Sequence, residues 1–141
     1  MPKVILKKGR EKSLRNHHPW LFSGAIQRVD GSPHPGDTVE VLTSAGELAG
    51  RGAYSPASQI RMRLWTYDAQ TEVNYVFFKK KIEQALQLRQ ALFNDEMTNA
   101  YRLINAESDG LPGLIVDRYA NYLVVQFLSA GSQYWAETIV K

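Results

Sequence analysis

The sequence predicts an α+β protein in two units: a β-rich unit over residues 1–70, and a unit over residues 71–141 that joins one long helix to a small antiparallel sheet. Three observations carry this prediction. Short alternating apolar runs separated by Gly, Pro and Ser turns crowd the first unit, the texture of a small barrel or sandwich with one helix tucked against it. From about Val73 to Phe93 there is no Gly or Pro, and good helix formers dominate. After Asn94-Asp95 come three more strand-like runs divided by turns.

In chain order, Lys3–Leu6 is a short strand. Glu11–Asn16 is a brief helical turn stopped at His18-Pro19, because proline disfavours helix in the residue before it. Gly24–Val29 reads as a strand, and Gly31-Ser32-Pro33-His34-Pro35-Gly36-Asp37 as a dense turn. Thr38–Leu42 alternates, with Val39 and Val41 on one face. Ser44-Ala45-Gly46-Glu47 turns it into Leu48–Tyr54, and Ser55-Pro56-Ala57-Ser58 turns again. Ile60–Thr66 is the clearest strand. In the long helix Phe78, Ile82, Ala85, Leu86 and Phe93 recur at helical spacing, and Arg89 interrupts that stripe. Tyr101–Asn105, Leu114–Asp117 and Tyr122–Leu128 complete the second sheet, the last two joined as a hairpin through Tyr119-Ala120-Asn121. Ser132–Lys141 opens as a helix and stops mid-pattern, so the chain is expected to continue as part of something longer.

Composition excludes several classes of function. Hydrophobic residues are 44% and charged residues 22% of the chain, the balance of a globular protein. No apolar run approaches the length of a bilayer crossing, and Val4-Ile5-Leu6 before Lys7-Lys8 is no secretory segment. The absence of cysteine removes disulfides, thiolate metal sites and a thiol nucleophile. His17, His18 and His34 lack the spacing of a helical metal pair, so no metal is expected. The cytoplasm is the expected compartment.

The net charge of +3 is distributed unevenly. Residues 1–70 hold ten Lys/Arg against six Asp/Glu, and residues 71–141 hold seven against eight. Residues 1–28 alone hold seven basic side chains and a single acid, Glu11. A local positive field attracts a polyanion, and phosphate backbones are the commonest. A plain solvated surface is the competing reading.

Specific residues sharpen this. In Ile60-Arg61-Met62-Arg63-Leu64, period-two alternation points Arg61 and Arg63 one way and the apolar residues to the core. The guanidinium fork suits phosphate. Arg51 lies between Gly50 and Gly52, which expose backbone to a close approach. His17-His18-Pro19-Trp20-Leu21-Phe22 sets aromatics beside cations, as single-stranded RNA recognition does, but Phe22 and Trp20 are expected in the barrel core, since large aromatics beside a Pro turn more often plug a small barrel than contact a ligand. Glu107, Asp109 and Asp117 around Gly110-Leu111-Pro112-Gly113 read as turn formers and ion-pair partners. A catalytic carboxylate set is the weaker reading, since no nucleophile accompanies them.

Two stretches carry a resemblance. His18-Pro19-Trp20-Leu21-Phe22-Ser23-Gly24-Ala25-Ile26, Gly36-Asp37-Thr38-Val39-Glu40-Val41 and Gly50-Arg51-Gly52-Ala53-Tyr54 resemble a PUA domain, an RNA-binding module. Residues 102–118, from Arg102-Leu103-Ile104-Asn105 through Gly113-Leu114-Ile115-Val116-Asp117-Arg118, are similar to the segment before the catalytic domain of the bacterial ribosomal RNA large subunit methyltransferase I family, which makes 5-methylcytosine in 23S rRNA. The resemblance implies a PUA-like β-barrel, then a central α/β domain, then a Rossmann-like domain binding S-adenosyl-L-methionine, with this chain ending before the third. It implies RNA, expected to be 23S rRNA, as partner, lying across the Glu11–Arg15 helix, the Asn16–Ser23 loop and the closing strand Ile60–Thr66. The expected RNA-contacting residues are Lys7, Lys8, Arg10, Lys12, Arg15, His17, Arg51, Arg61 and Arg63. No catalytic residue and no cofactor is expected within the 141 residues. A homodimer, or a stand-alone RNA- or protein-binding module using the edge Tyr122–Leu128, is the alternative assembly.

Overall fold

Alternating apolar residues build the first sheet, seen in a computed structural model that describes residues 1–141. Its strands are β1 (Lys3–Leu6), β2 (Trp20–Phe22), β3 (Ile26–Asp30), β4 (Thr38–Leu42), β5 (Leu48–Tyr54) and β6 (Ile60–Thr66), in the spatial order β2-β6-β5-β4-β1-β3. All pairings are antiparallel except β1 with β4. Of the side chains predicted to face inward, Val39, Val41 and Met62 are fully buried and Leu64 nearly so, whereas Ile60 is only half-buried and pairs with the exposed Phe22 beyond a register irregularity. Leu21 on one edge strand packs in the same core as Ile26 and Val29 on the opposite edge. A flat sheet cannot bring its two edges to one core, so this sheet is curled into a half-barrel. Leu14 of α1 (Lys12–Arg15) joins that core, which fixes the small helix against the barrel mouth.

The long helix α2 (Tyr75–Leu92) starts at Asn74, whose side chain accepts the Phe77 amide at 3.1 Å. It buries Phe77, Phe78 and Ala85 against the second sheet, β7 (Ala100–Asn105), β8 (Leu114–Tyr119) and β9 (Tyr122–Phe127), which pair antiparallel in that order. Two short helices, α3 (Ala130–Tyr134) and α4 (Ala136–Ile139), follow a capping box in which Ser129 and Ser132 satisfy each other's amides. The second core contains Ile104, Leu111, Leu114 and Val116 together with Ala53 of β5 and Trp65 of β6. The two units therefore share apolar contacts along the outer face of the half-barrel. No helix is long and apolar enough to cross a membrane.

Several details differ from expectation. Ser23–Ala25 is a 3-10 turn, and the strand expected from Gly24 begins at Ile26. Trp20–Phe22, expected as loop, is a three-residue edge strand on β6. Leu86, expected on the buried stripe of the helix, is 37% exposed. Arg89, which breaks that stripe, is largely shielded from solvent because Asp109 meets it: the guanidinium donates two bonds to the carboxylate at 2.9 and 2.7 Å.

Candidate nucleic-acid interface

The basic N-terminal segment is displayed by two local devices. After β1 the chain turns at Lys7–Arg10, where the Arg10 amide donates to the Lys7 carbonyl at 3.0 Å and Gly9 takes φ 81°, a conformation glycine adopts without strain. The turn leads into α1. Lys7, Lys8, Arg10, Lys12, Arg15 and His17 are all exposed, and none of them takes part in an ion pair.

Glu11, the one acid of residues 1–28, does not neutralise them. It is buried, and its carboxylate turns inward to accept the Ser44 hydroxyl at 2.7 Å and the Ser44 amide at 3.2 Å. These bonds hold its pKa down, from 4.5 to about 2. One carboxylate thus anchors α1 to the β4–β5 turn and leaves the outer charge of the segment uniformly positive. Arg10, Lys12, Ser13, Asn16, His17 and His18 line an open polar groove of about 620 Å³ along this surface.

His17 occupies the left-handed region at φ 55°, which costs a non-glycine residue free energy unless neighbours hold it. Tyr67 holds it here. The two rings stack at 4.5 Å, and the Tyr67 hydroxyl donates to the His17 carbonyl at 2.8 Å. Partial burial pushes the Tyr67 phenol up from its ordinary value, so it remains a donor.

The outer face of β6 and β2 adds a second set. Trp20 pairs across from Arg63, so their side chains share the face away from the barrel core. Arg61 is half-buried, its Nε donating to the Ser58 carbonyl at 3.2 Å. Arg63 lies 3.9 Å from the Glu107 carboxylate, and the same carboxylate accepts the Trp20 indole N–H at 3.0 Å. Glu107, from the second unit, therefore closes one end of this face. Phe22, expected in the core, is 48% exposed on it. Leu21 takes the core position instead, because β2 is a strand and its neighbours must point outward.

Arg51 is turned elsewhere. It donates to the carbonyls of Ala69 and Thr71 at 2.9 and 2.6 Å and lies 3.5 Å from Glu40, so it is spent tying the segment after β6 to β5. The close approach its flanking glycines permit is made by β6 of the same chain: a Cβ at Gly52 would lie 2.5 Å from the Arg63 carbonyl oxygen. The three carboxylates near the Gly110–Gly113 turn go to separate partners. Asp109 holds Arg89, Asp117 accepts Arg102 at 2.8 Å and is held below its ordinary pKa by that bond, and Glu107 faces Trp20 and Arg63. Each is a structural tie, and they converge on no common point.

Comparisons with known proteins show what the chain as a whole is similar to. Residues 4–67 match the PUA-like domain family. The chain is 49% identical over 138 residues to ribosomal RNA large subunit methyltransferase I of Shewanella amazonensis, covering 98% of this chain and 35% of that protein. It is 46% identical to the protein of the same name in Escherichia coli, again over 98% and 35%. The chain thus spans about a third of the length of the curated relatives it matches. A solved structure from Streptococcus mutans, described as a candidate SAM-dependent methyltransferase, superposes with a TM-score of 0.83 at 20% identity, over 99% of this chain and 36% of that one. At that identity the likeness concerns the fold.

Proposed function

We propose, from the premise that this chain belongs to the ribosomal RNA large subunit methyltransferase I family and spans about a third of its curated members, that it is the part that grips and places ribosomal RNA for methylation carried out elsewhere in such an enzyme. The observation that carries this reading is the uninterrupted run of unpaired cations over the Lys7–Arg10 turn and α1, with their one acidic neighbour turned inward. Phosphate contacts from such a face fix the register and orientation of an RNA without reading its sequence. Lys7, Lys8, Arg10, Lys12, Arg15 and His17 supply the track, and Arg61 extends it along β6, whereas Arg63 is met by Glu107 where that face ends. The 23S rRNA is the partner this reading names.

S-adenosylmethionine is the methyl donor that the family implies, and the residues present here do not fit it. Such cofactors bind where a parallel strand feeds a Gly-rich turn and then a helix N-terminus. The parallel pair here, β1 and β4, has no such crossover: α1 is a single four-residue turn, and the chain runs through β2 and β3 before reaching β4. Nor does the chain contain the cysteine that cytosine C5 methylation calls for. Methyl transfer accordingly belongs to the remaining two thirds of the relatives' length.

The test is salt-dependent binding of a ribosomal RNA fragment by the chain and by Lys12→Glu/Arg15→Glu, two exposed positions whose change spares the core. Affinity should fall, and the slope of log K against log salt should flatten by about 0.7–0.9 for each phosphate that is no longer neutralised. Unchanged affinity and slope would remove the helix surface from the interface.

A further inference from the structure

We infer that the outer face of β2 is a docking subsite for an unpaired RNA base, with Phe22 as its stacking platform; this rests on the RNA-binding reading above and names the kind of RNA the face takes. Four observations converge. Trp20 and Phe22 stand at alternate positions of β2, on the side away from Leu21, and the His18 ring, just before the strand, folds onto Trp20. They meet edge to face, His18 with Trp20 at 5.9 Å and Trp20 with Phe22 at 6.4 Å, which makes a continuous aromatic surface rather than three separate side chains. Phe22, at its end, is 48% exposed although the core lies one residue away at Leu21. These rings, with Arg10, Ser13 and Gly24, line a groove of about 260 Å³.

That groove is continuous with the polar one along α1, and the two share Arg10, Ser13 and His18. One side offers the cations and hydrogen-bonding groups of Arg10, Lys12, Ser13 and Asn16, and the other offers rings. A nucleotide has the same division: an anionic sugar-phosphate on one side and a flat apolar base on the other. Arg10, at the junction, is placed for the phosphate of the nucleotide whose base lies on Phe22. Gly24 leaves the far wall open, since a Cβ there would meet nothing within 4 Å. A duplex cannot use this surface, because its bases are already stacked and paired. The His18 ring also caps the short edge strand, its Nδ1 accepting the Trp20 amide at 3.2 Å, so the surface is held in one arrangement.

The experiment compares a ten-nucleotide oligouridine with a blunt-ended RNA duplex of equal charge, binding each to the full chain, to Phe22→Ala and to Phe22→Trp. Because Phe22 is half exposed, its replacement spares both cores. Removing one base–aromatic stack should weaken oligouridine binding about 10-fold in Phe22→Ala, with the salt slope unchanged, while duplex binding stays as it was; Phe22→Trp should restore the single-strand affinity. A 2-aminopurine placed within the oligonucleotide should be quenched by the parent chain and not by Phe22→Ala. If Phe22→Ala binds both RNAs like the parent while Lys12→Glu/Arg15→Glu weakens both, the base subsite is refuted and the RNA-binding reading survives. If the charge variant also leaves both unchanged, the RNA-binding reading falls with it.

Discussion

Glu11 shows how one side chain sets the character of a surface. Among seven cations in residues 1–28, it is the one carboxylate, and its burial against Ser44 both anchors α1 and withholds its charge from the outside. Its pKa is depressed in the folded chain, so the unfolded chain takes up the proton first as pH falls. The stability it contributes is then complete above about 4.5 and is lost as the pH drops toward about 2. Urea midpoints measured down this range should fall for the parent, and Glu11→Gln should lack that part of the acid-induced loss. Phe22 marks a limit of sequence reading at this scale. A large apolar residue beside a proline turn suits a core, and composition alone does not say which of Trp20, Leu21 and Phe22 faces inward. The pairing register with β6 decides it, and that register depends on residues about forty positions away. The charge pattern was legible because charge needs no register.

At the level of elements, strands with strict alternation and the long Gly-free helix could be read directly, since their periodicity is a property of contiguous residues. Elements held by distant partners could not. The edge strand β2 is three residues long and exists because β6 is beside it. The shielding of Arg89 in α2 depends on Asp109, twenty residues on, in the 3-10 turn Ala106–Asp109. Asp109 also accepts the Asn105 amide at 2.6 Å, so it ties the end of β7 to the helix. Removing one member of such a pair leaves the other charge buried and alone. Asp109→Ala should therefore destabilise the chain by about 3–5 kcal/mol in urea unfolding, and Arg89→Met/Asp109→Leu should cost less than the sum of its single changes. The α3 helix is packed with equal specificity. At Gly131 a Cβ would lie 2.2 Å from the Ala53 Cβ and 2.9 Å from Trp65, so Gly131→Ala must push α3 off β5. Overpacking of this kind should cost about 1–3 kcal/mol, read from the same unfolding curves.

Across the whole molecule, the shared second core makes the two units one cooperative structure. Trp65 is 3% exposed, meets Phe78 edge to face at 5.3 Å, and belongs to a strand of the half-barrel while packing on the helix of the second unit. Trp65→Ala should destabilise both units together, by about 3–5 kcal/mol, with far-UV and near-UV transitions that remain superimposed. Trp65→Phe should cost much less, because it keeps most of the ring and removes an indole N–H that is buried without a partner. Trp20 lies outside both cores, with its indole edge bonded to Glu107 across the gap between the units. The chain therefore carries two optical reporters of different reach. Emission from Trp20 should be quenched by a nucleic acid arriving on β2 while the protein stays folded, and emission from Trp65 should shift only when the units come apart. With Trp135, the third indole, replaced by phenylalanine, one fluorimeter can time ligand arrival and structural opening as separate events in the same molecule.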